Sequence, residues 1–98
     1  MYKKSETPRF SLGRLFSTPG ALDVIQRAGI VPLQLLLRHQ RGDWGDALDE
    51  RDLAANDRAV TEGTRILSSY LVGVHREKVW IITEADRSVT TVLLPSEY

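Results

Sequence analysis

The chain has 98 residues, 13 basic and 13 acidic side chains, no cysteine and a formal net charge of zero at pH 7. This length predicts one domain, and the lack of cysteine excludes disulfides, thiolate metal sites and cysteine nucleophiles. No apolar run approaches the roughly 18 residues of a membrane-spanning helix, and the polar start does not resemble a signal peptide, so we expect a cytoplasmic protein.

Residues 1–9 are polar and contain a proline, which predicts a flexible tail before a single domain at residues 10–98. The stretch FSLGRLF that opens this domain predicts a short edge strand or an extended lead-in, since a glycine interrupts it. A helix follows, because Thr18 can cap it, Pro19 suits its first turn and Gly29 can close it.

A second helix is predicted to begin at Pro32 and to end at Gly42. Its helical spacing indicates an apolar face formed by Leu33, Leu36 and Leu37. Because only a few residues separate the two helices, we expect an αα-hairpin. A third helix is predicted over residues 49–62, with an aspartate at 46 or 49 as its cap and Gly63 at its end. Its thin apolar face indicates a surface position.

From residue 65 the apolar pattern changes to that of strands. Residues 66–74 alternate, residues 79–83 are apolar on both faces and predict a central strand with Trp80 in the core, and residues 89–94 predict a third strand. Short polar turns join the three strands into an antiparallel meander. The predicted architecture is α+β, with two to three N-terminal helices packed on a three- to four-stranded antiparallel sheet.

The charges are unevenly distributed along the chain. Residues 1–41 carry seven basic and two acidic side chains, a balance of +5, whereas residues 42–62 carry two basic and seven acidic ones, a balance of −5. This asymmetry is weak evidence for a binding partner, and internal ion pairs explain it better. The basic half keeps nucleic acid open as an alternative partner.

The stretch GDWGD, residues 42–46, predicts a tight corner between the second and third helices, because its two glycines allow backbone angles closed to other residues. The Asp43 side chain can form a hydrogen bond with the backbone of the turn, and Trp44 is interpreted as an anchor in the core. The alternative is a binding site in which an exposed Trp44, with Asp43 and Arg38, stacks on a base or a partner surface.

The layout of helices before an antiparallel sheet is also that of small metal-independent RNases, including toxins of the RelE or barnase type. Such an enzyme needs an acid–base group and cations for the phosphate. The candidates are His39, Arg41, Glu84 and Arg87. Helix ends and turns explain the same residues as well. Two histidines without ligand spacing predict no metal site, and the absence of phosphate-loop and dinucleotide motifs predicts no cofactor.

Three motifs, FSLGRLFSTPGAL, RHQRGDWGD and WIITEADRSVTTVLLPSEY, resemble a family of small proteins encoded on bacterial plasmids and integrative elements. The resemblance covers residues 10–98 and implies the fold, a bacterial origin and an intracellular location. Members are often labelled as type I restriction subunit M. That label does not fit this chain, since a methylation subunit is far larger and carries a motif such as Asn-Pro-Pro-Tyr. The resemblance supplies no catalytic residues.

These patterns together predict a non-catalytic accessory or interaction protein of a mobile element, with an unidentified protein as its main partner. A toxin-type RNase is the alternative. The open edges of the predicted meander also predict a homodimer formed by edge pairing. No membrane partner is expected.

Overall fold

The computed structural model describes residues 7–98, in which strands and helices follow one another in the order predicted. The elements are β1 Arg14–Ser17, α1 Pro19–Arg27, α2 Pro32–Gln40, α3 Glu50–Glu62, β2 Ile66–Val72, β3 Glu77–Thr83, β4 Val89–Leu93 and a 3-10 turn Pro95–Glu97. The α+β class is confirmed. Most of the predicted tail, residues 1–6, lies outside the described residues, and the Arg9 N–H donates to the Gln40 carbonyl oxygen at 2.8 Å.

The four strands form one sheet in the order β1-β4-β3-β2. The predicted meander is confirmed, since β3 pairs antiparallel with both β2 and β4. However, β1 runs parallel to β4, so the sheet is mixed and the prediction of a purely antiparallel sheet was wrong. Short turns force neighbouring strands to run antiparallel, whereas the long connection through three helices leaves the direction of β1 free.

The predicted helix ends are confirmed by their hydrogen bonds. The Thr18 hydroxyl accepts the Ala21 N–H at 3.1 Å at the start of α1, and an Asp49 carboxylate oxygen accepts the Asp52 N–H at 2.9 Å at the start of α3. Gly63 ends α3 in the left-handed region with φ 75°. Each bond satisfies a backbone N–H that has no partner within its own helix.

The buried face of α2 differs from the predicted one. Leu35, Leu36 and His39 are buried, whereas Leu33 is 57% exposed. Four leucines in five residues fit two overlapping helical faces, and packing against the sheet selects one of them. The axes of α1 and α2 differ by 102°, so the pair is not the antiparallel hairpin that we predicted.

No single helix within residues 7–98 is long and apolar enough to cross a bilayer; α1 and α2 pass that test of length and composition only together, as a bent pair.

The helices cover one face of the sheet, which we call the inner face. Its core consists of Ala21, Val24, Ile25, Leu35, Leu36, Tyr70, Val72, Val79, Ile81 and Val92. A second cluster of Trp44, Ala59 and Ile66 lies beside α3. Alternation along the strands places the remaining side chains on the opposite face, which no helix covers fully and which we call the open face: Arg14, Phe16, Leu67, Ser69, Leu71, Lys78, Trp80, Ile82, Val89, Thr91 and Leu93. Ser69, Ile82 and Leu93 are nevertheless buried on it.

Candidate functional site

His39, the predicted acid–base candidate, lies in a chain of buried hydrogen bonds beneath the sheet. Its Nδ1 is 2.5 Å from the Ser68 hydroxyl and its Nε2 is 2.8 Å from the Thr83 hydroxyl. The Thr83 hydroxyl is 2.7 Å from that of Thr90, which donates to the Leu12 carbonyl oxygen at 2.7 Å. All three hydroxyl partners are buried. The imidazole thus links α2 to three consecutive strands.

The partners at the end of this chain fix the direction of every proton. Because a carbonyl oxygen only accepts, Thr90 must donate to Leu12, and Thr83 must then donate to Thr90. Thr83 can therefore only accept from His39, which carries its proton on Nε2, and Nδ1 accepts the O–H of Ser68. The ring is neutral in this arrangement. Burial, assisted by the positive charge of Arg87, lowers the pKa of His39 to about 3.

His39 has no exposed surface. A group that takes a proton from an RNA 2′-hydroxyl must lie within hydrogen-bond distance of the substrate. The histidine instead satisfies buried polar groups and holds the core together. Ser68, Thr83 and Thr90 were not identified from the sequence. The sequence pattern that could have identified them is the presence of three polar residues at inward-facing positions of strands whose other inward-facing residues are mostly apolar.

Two neighbouring serines on β2 test this arrangement. Ser68→Ala should lower the free energy of unfolding by about 1–3 kcal/mol, because the buried Nδ1 of His39 loses its donor. Ser69 is equally buried, but its hydroxyl has no hydrogen-bond partner among residues 7–98. Ser69→Ala should therefore leave stability within about 0.5 kcal/mol of the wild type or raise it. Urea denaturation of both variants measures the difference, and equal losses would contradict the hydrogen-bond chain.

Trp44 is fully buried, so its interpretation as a core anchor is confirmed, and the ring has no surface on which a base could stack. The indole packs against the rings of Phe10 and His39, with centroids 6.1 Å and 5.9 Å away, and those two rings also contact each other at 5.2 Å. Its Nε1–H donates to Asp57 on α3 at 3.1 Å. Gly45 is required beside it, since a Cβ there would lie 2.0 Å from the Ser69 carbonyl oxygen.

Asp43 and Arg38, the other predicted binding residues of this corner, pair with each other. The Arg38 guanidinium donates to the two carboxylate oxygens of Asp43 at 2.7 and 3.2 Å and lies 4.6 Å from the centroid of the Tyr70 ring. The Tyr70 hydroxyl donates to the Asp43 carbonyl oxygen at 2.6 Å. These bonds hold the corner against β2, and Arg38 remains only partly exposed.

Arg87 occupies the turn between β3 and β4 with φ 61°. Its guanidinium donates to the carbonyl oxygens of Ala59 at 2.7 Å, Thr64 at 2.6 Å and Glu84 at 3.1 Å. It thereby joins the β3–β4 turn to the end of α3, where the Ala59 carbonyl oxygen also accepts the N–H groups of Gly63 and Thr64 at 2.9 and 3.3 Å. The carboxylate of Glu84 and the side chain of Arg41 are exposed. The structure does not join them with buried His39 into one accessible site.

A groove of about 280 Å³ lies between α3 and the open face. It is lined by Leu48, Asp52, Ala55, Asn56, Leu67 and Trp80. Trp80 was predicted to be a core residue, but it is only partly buried because its side chain points away from the inner face. The Tyr98 ring meets it edge-on at 5.8 Å, and the Arg65 guanidinium donates to the Tyr98 hydroxyl at 2.6 Å.

Comparison of the chain with protein-family models, with curated proteins and with solved structures finds no match. The fold itself is a small α+β domain with a mixed four-stranded sheet. Within residues 7–98, the groove that contains Trp80 is a candidate binding site, because it combines a concave, largely apolar surface with a partly exposed aromatic ring.

Proposed function

We propose that this chain is a non-catalytic interaction protein, the accessory protein of a bacterial mobile element that its motifs suggest. The observation that carries the proposal is the partly exposed Trp80 in the groove beside α3. Tryptophan side chains in such pockets supply much of the binding free energy of protein interfaces. His39, Trp44 and Arg87, in contrast, are occupied by contacts within the fold.

The charge beside the groove indicates the chemistry of the partner. Asp52 lines the groove and is exposed. Asp49, the N-cap of α3, and Glu50, in the same first turn as Asp52, are exposed. This acidic rim repels the phosphates of a nucleic acid and attracts lysine and arginine. The fitting occupant is an apolar protein segment with flanking basic residues.

The two tryptophans provide an internally controlled test, because only Trp80 contacts the groove. We expect a synthetic amphipathic peptide of leucine and lysine to shift the indole N–H signal of Trp80 in an NMR spectrum and to leave that of buried Trp44 in place. The same peptide with glutamate in place of lysine should bind at least about tenfold more weakly.

Two charge reversals within α3 supply a test variant and its matched control. Asp52→Lys should reverse the preference between the two peptides, whereas Glu62→Lys, at the far end of the same helix, should preserve it. A single-stranded RNA oligonucleotide added alone should leave Trp80 unshifted. A shift with RNA and none with the peptides, or RNA cleavage by the purified protein, would overturn the proposal.

A further inference from the structure

The outer edge of β2 is covered at Leu67 and Ser69 by other parts of the chain. The Asn56 amide donates to the Leu67 carbonyl oxygen at 2.7 Å and accepts the Leu67 N–H at 3.2 Å. The Ser69 N–H donates to the Trp44 carbonyl oxygen at 3.0 Å, and the Ser69 carbonyl oxygen accepts the Ala47 N–H at 3.4 Å. Outward backbone groups at two positions are thereby satisfied, which prevents another strand from pairing there.

The outer edge of β1 has no such cover within residues 7–98. The N–H groups of Arg14 and Thr18 donate to Ser88 and Val92 at 2.9 and 3.0 Å, so the even-numbered residues bond to β4. Leu15 and Ser17 consequently direct their backbone N–H and C=O groups away from the sheet. The adjacent side chains are apolar: Leu15 is 52% and Phe16 47% exposed.

We propose that β1 pairs antiparallel with β1 of a second copy of this chain about a two-fold axis. The outward groups must meet one another, so odd-numbered residues lie opposite odd-numbered ones. Full overlap of the two strands then places Leu15 opposite Ser17 and Phe16 opposite Phe16 of the second copy. The two phenylalanines form a non-hydrogen-bonded cross-strand pair. In such a pair, the side chains of the two strands approach each other most closely.

The charges at this edge are complementary to a second copy in the same register. Arg14 lies opposite Thr18 of the other chain, on the open-face side. The Thr18 hydroxyl donates to the Glu97 carboxylate at 2.6 Å, so a guanidinium placed there meets a negative charge. The two-fold axis repeats this pair, and no like charges face each other. An isologous contact of this kind closes on itself as a dimer.

The two copies then share one continuous sheet, and their grooves lie at its outer ends beside the two copies of α3. The groove borders β2 at the opposite edge of the sheet from β1. Pairing through β1 is therefore independent of what the groove binds, and either proposal can fail without the other.

Cross-linking tests the register directly because the chain has no cysteine of its own. Phe16→Cys should form a disulfide-linked dimer under mild oxidation, since Cα atoms about 4.5 Å apart in such a pair satisfy disulfide geometry. Leu33→Cys is the matched control, with a side chain 57% exposed on α2, and it should remain monomeric on a non-reducing gel. Equal cross-linking of the two variants would overturn the proposal.

Sizing chromatography with light scattering tests the charge pair in a chain without cysteine. The wild type should be a dimer, and Arg14→Glu should raise its dissociation constant by about tenfold or more, because both symmetric positions then juxtapose like charges. The double variant Arg14→Glu with Glu97→Arg should restore dimerisation. A wild type that is monomeric at millimolar concentration, or a double variant no tighter than Arg14→Glu, would contradict this mode of pairing.

Discussion

Replacement of Trp44 by alanine should lower the free energy of unfolding by about 3–5 kcal/mol, the usual cost of removing a fully buried aromatic side chain. The ring joins the 42–46 corner to α3, to Phe10 and to His39. Its loss leaves a cavity and removes a hydrogen bond to the Asp57 carboxylate oxygen that also accepts from Arg9. Urea denaturation followed by circular dichroism at pH 7 measures the change.

Trp80→Ala is the matched control for this prediction, since it removes the same side chain from a partly exposed position on the open face. We expect it to cost clearly less, because part of its ring contacts water in the folded state. Trp44→Phe should cost an intermediate amount, since a ring is kept and the bond to Asp57 is lost. Losses of equal size for the two alanine variants would show that Trp44 does not anchor the corner.

Acidification should destabilise the protein through His39. Its pKa is about 3 in the folded protein and 6.5 as a free side chain, so between these values the unfolded chain binds a proton that the folded chain does not. The stabilisation is complete above about pH 6.5 and is lost progressively as the pH falls towards 3. The loss attributable to this group reaches roughly 5 kcal/mol at about 1.4 kcal/mol for each pH unit.

Unfolding free energies measured between pH 7 and pH 4 should show this slope in the wild type and a flatter one in His39→Gln. His75→Gln, which removes the only other histidine from an exposed turn, should retain the wild-type slope. The pKa values of Asp86 and Glu97 are also lowered, chiefly by hydrogen bonds from Ser88 and Thr18. Those carboxylates contribute equally to all three proteins. An unchanged slope in His39→Gln would refute the prediction.

The contacts that make His39 a structural residue were not visible in the sequence. Its partners Ser68 and Thr83 lie 29 and 44 residues away along the chain. Adjacent histidine and arginine residues at a helix end fit a catalytic cluster as well as a core. Arg87 is similar, because its role depends on the carbonyl oxygens of Ala59 and Thr64, which are 28 and 23 residues away along the chain.

The sequence by itself determined the elements whose causes are local. Thr18, Asp49 and Gly63 act on backbone groups within four residues, and the alternating strands between short turns can only form an antiparallel meander. Burial of Trp44 was also predictable, from a large apolar ring within a tight corner.

Only the tertiary structure decided which side of each element faces the core. It selected Leu35 over Leu33 on α2, directed Trp80 to the open face and set β1 parallel to β4. Each choice depends on how complete helices pack against a complete sheet. The burial of apolar side chains that drives this packing involves residues far apart in the chain, so no pattern within one segment determines it.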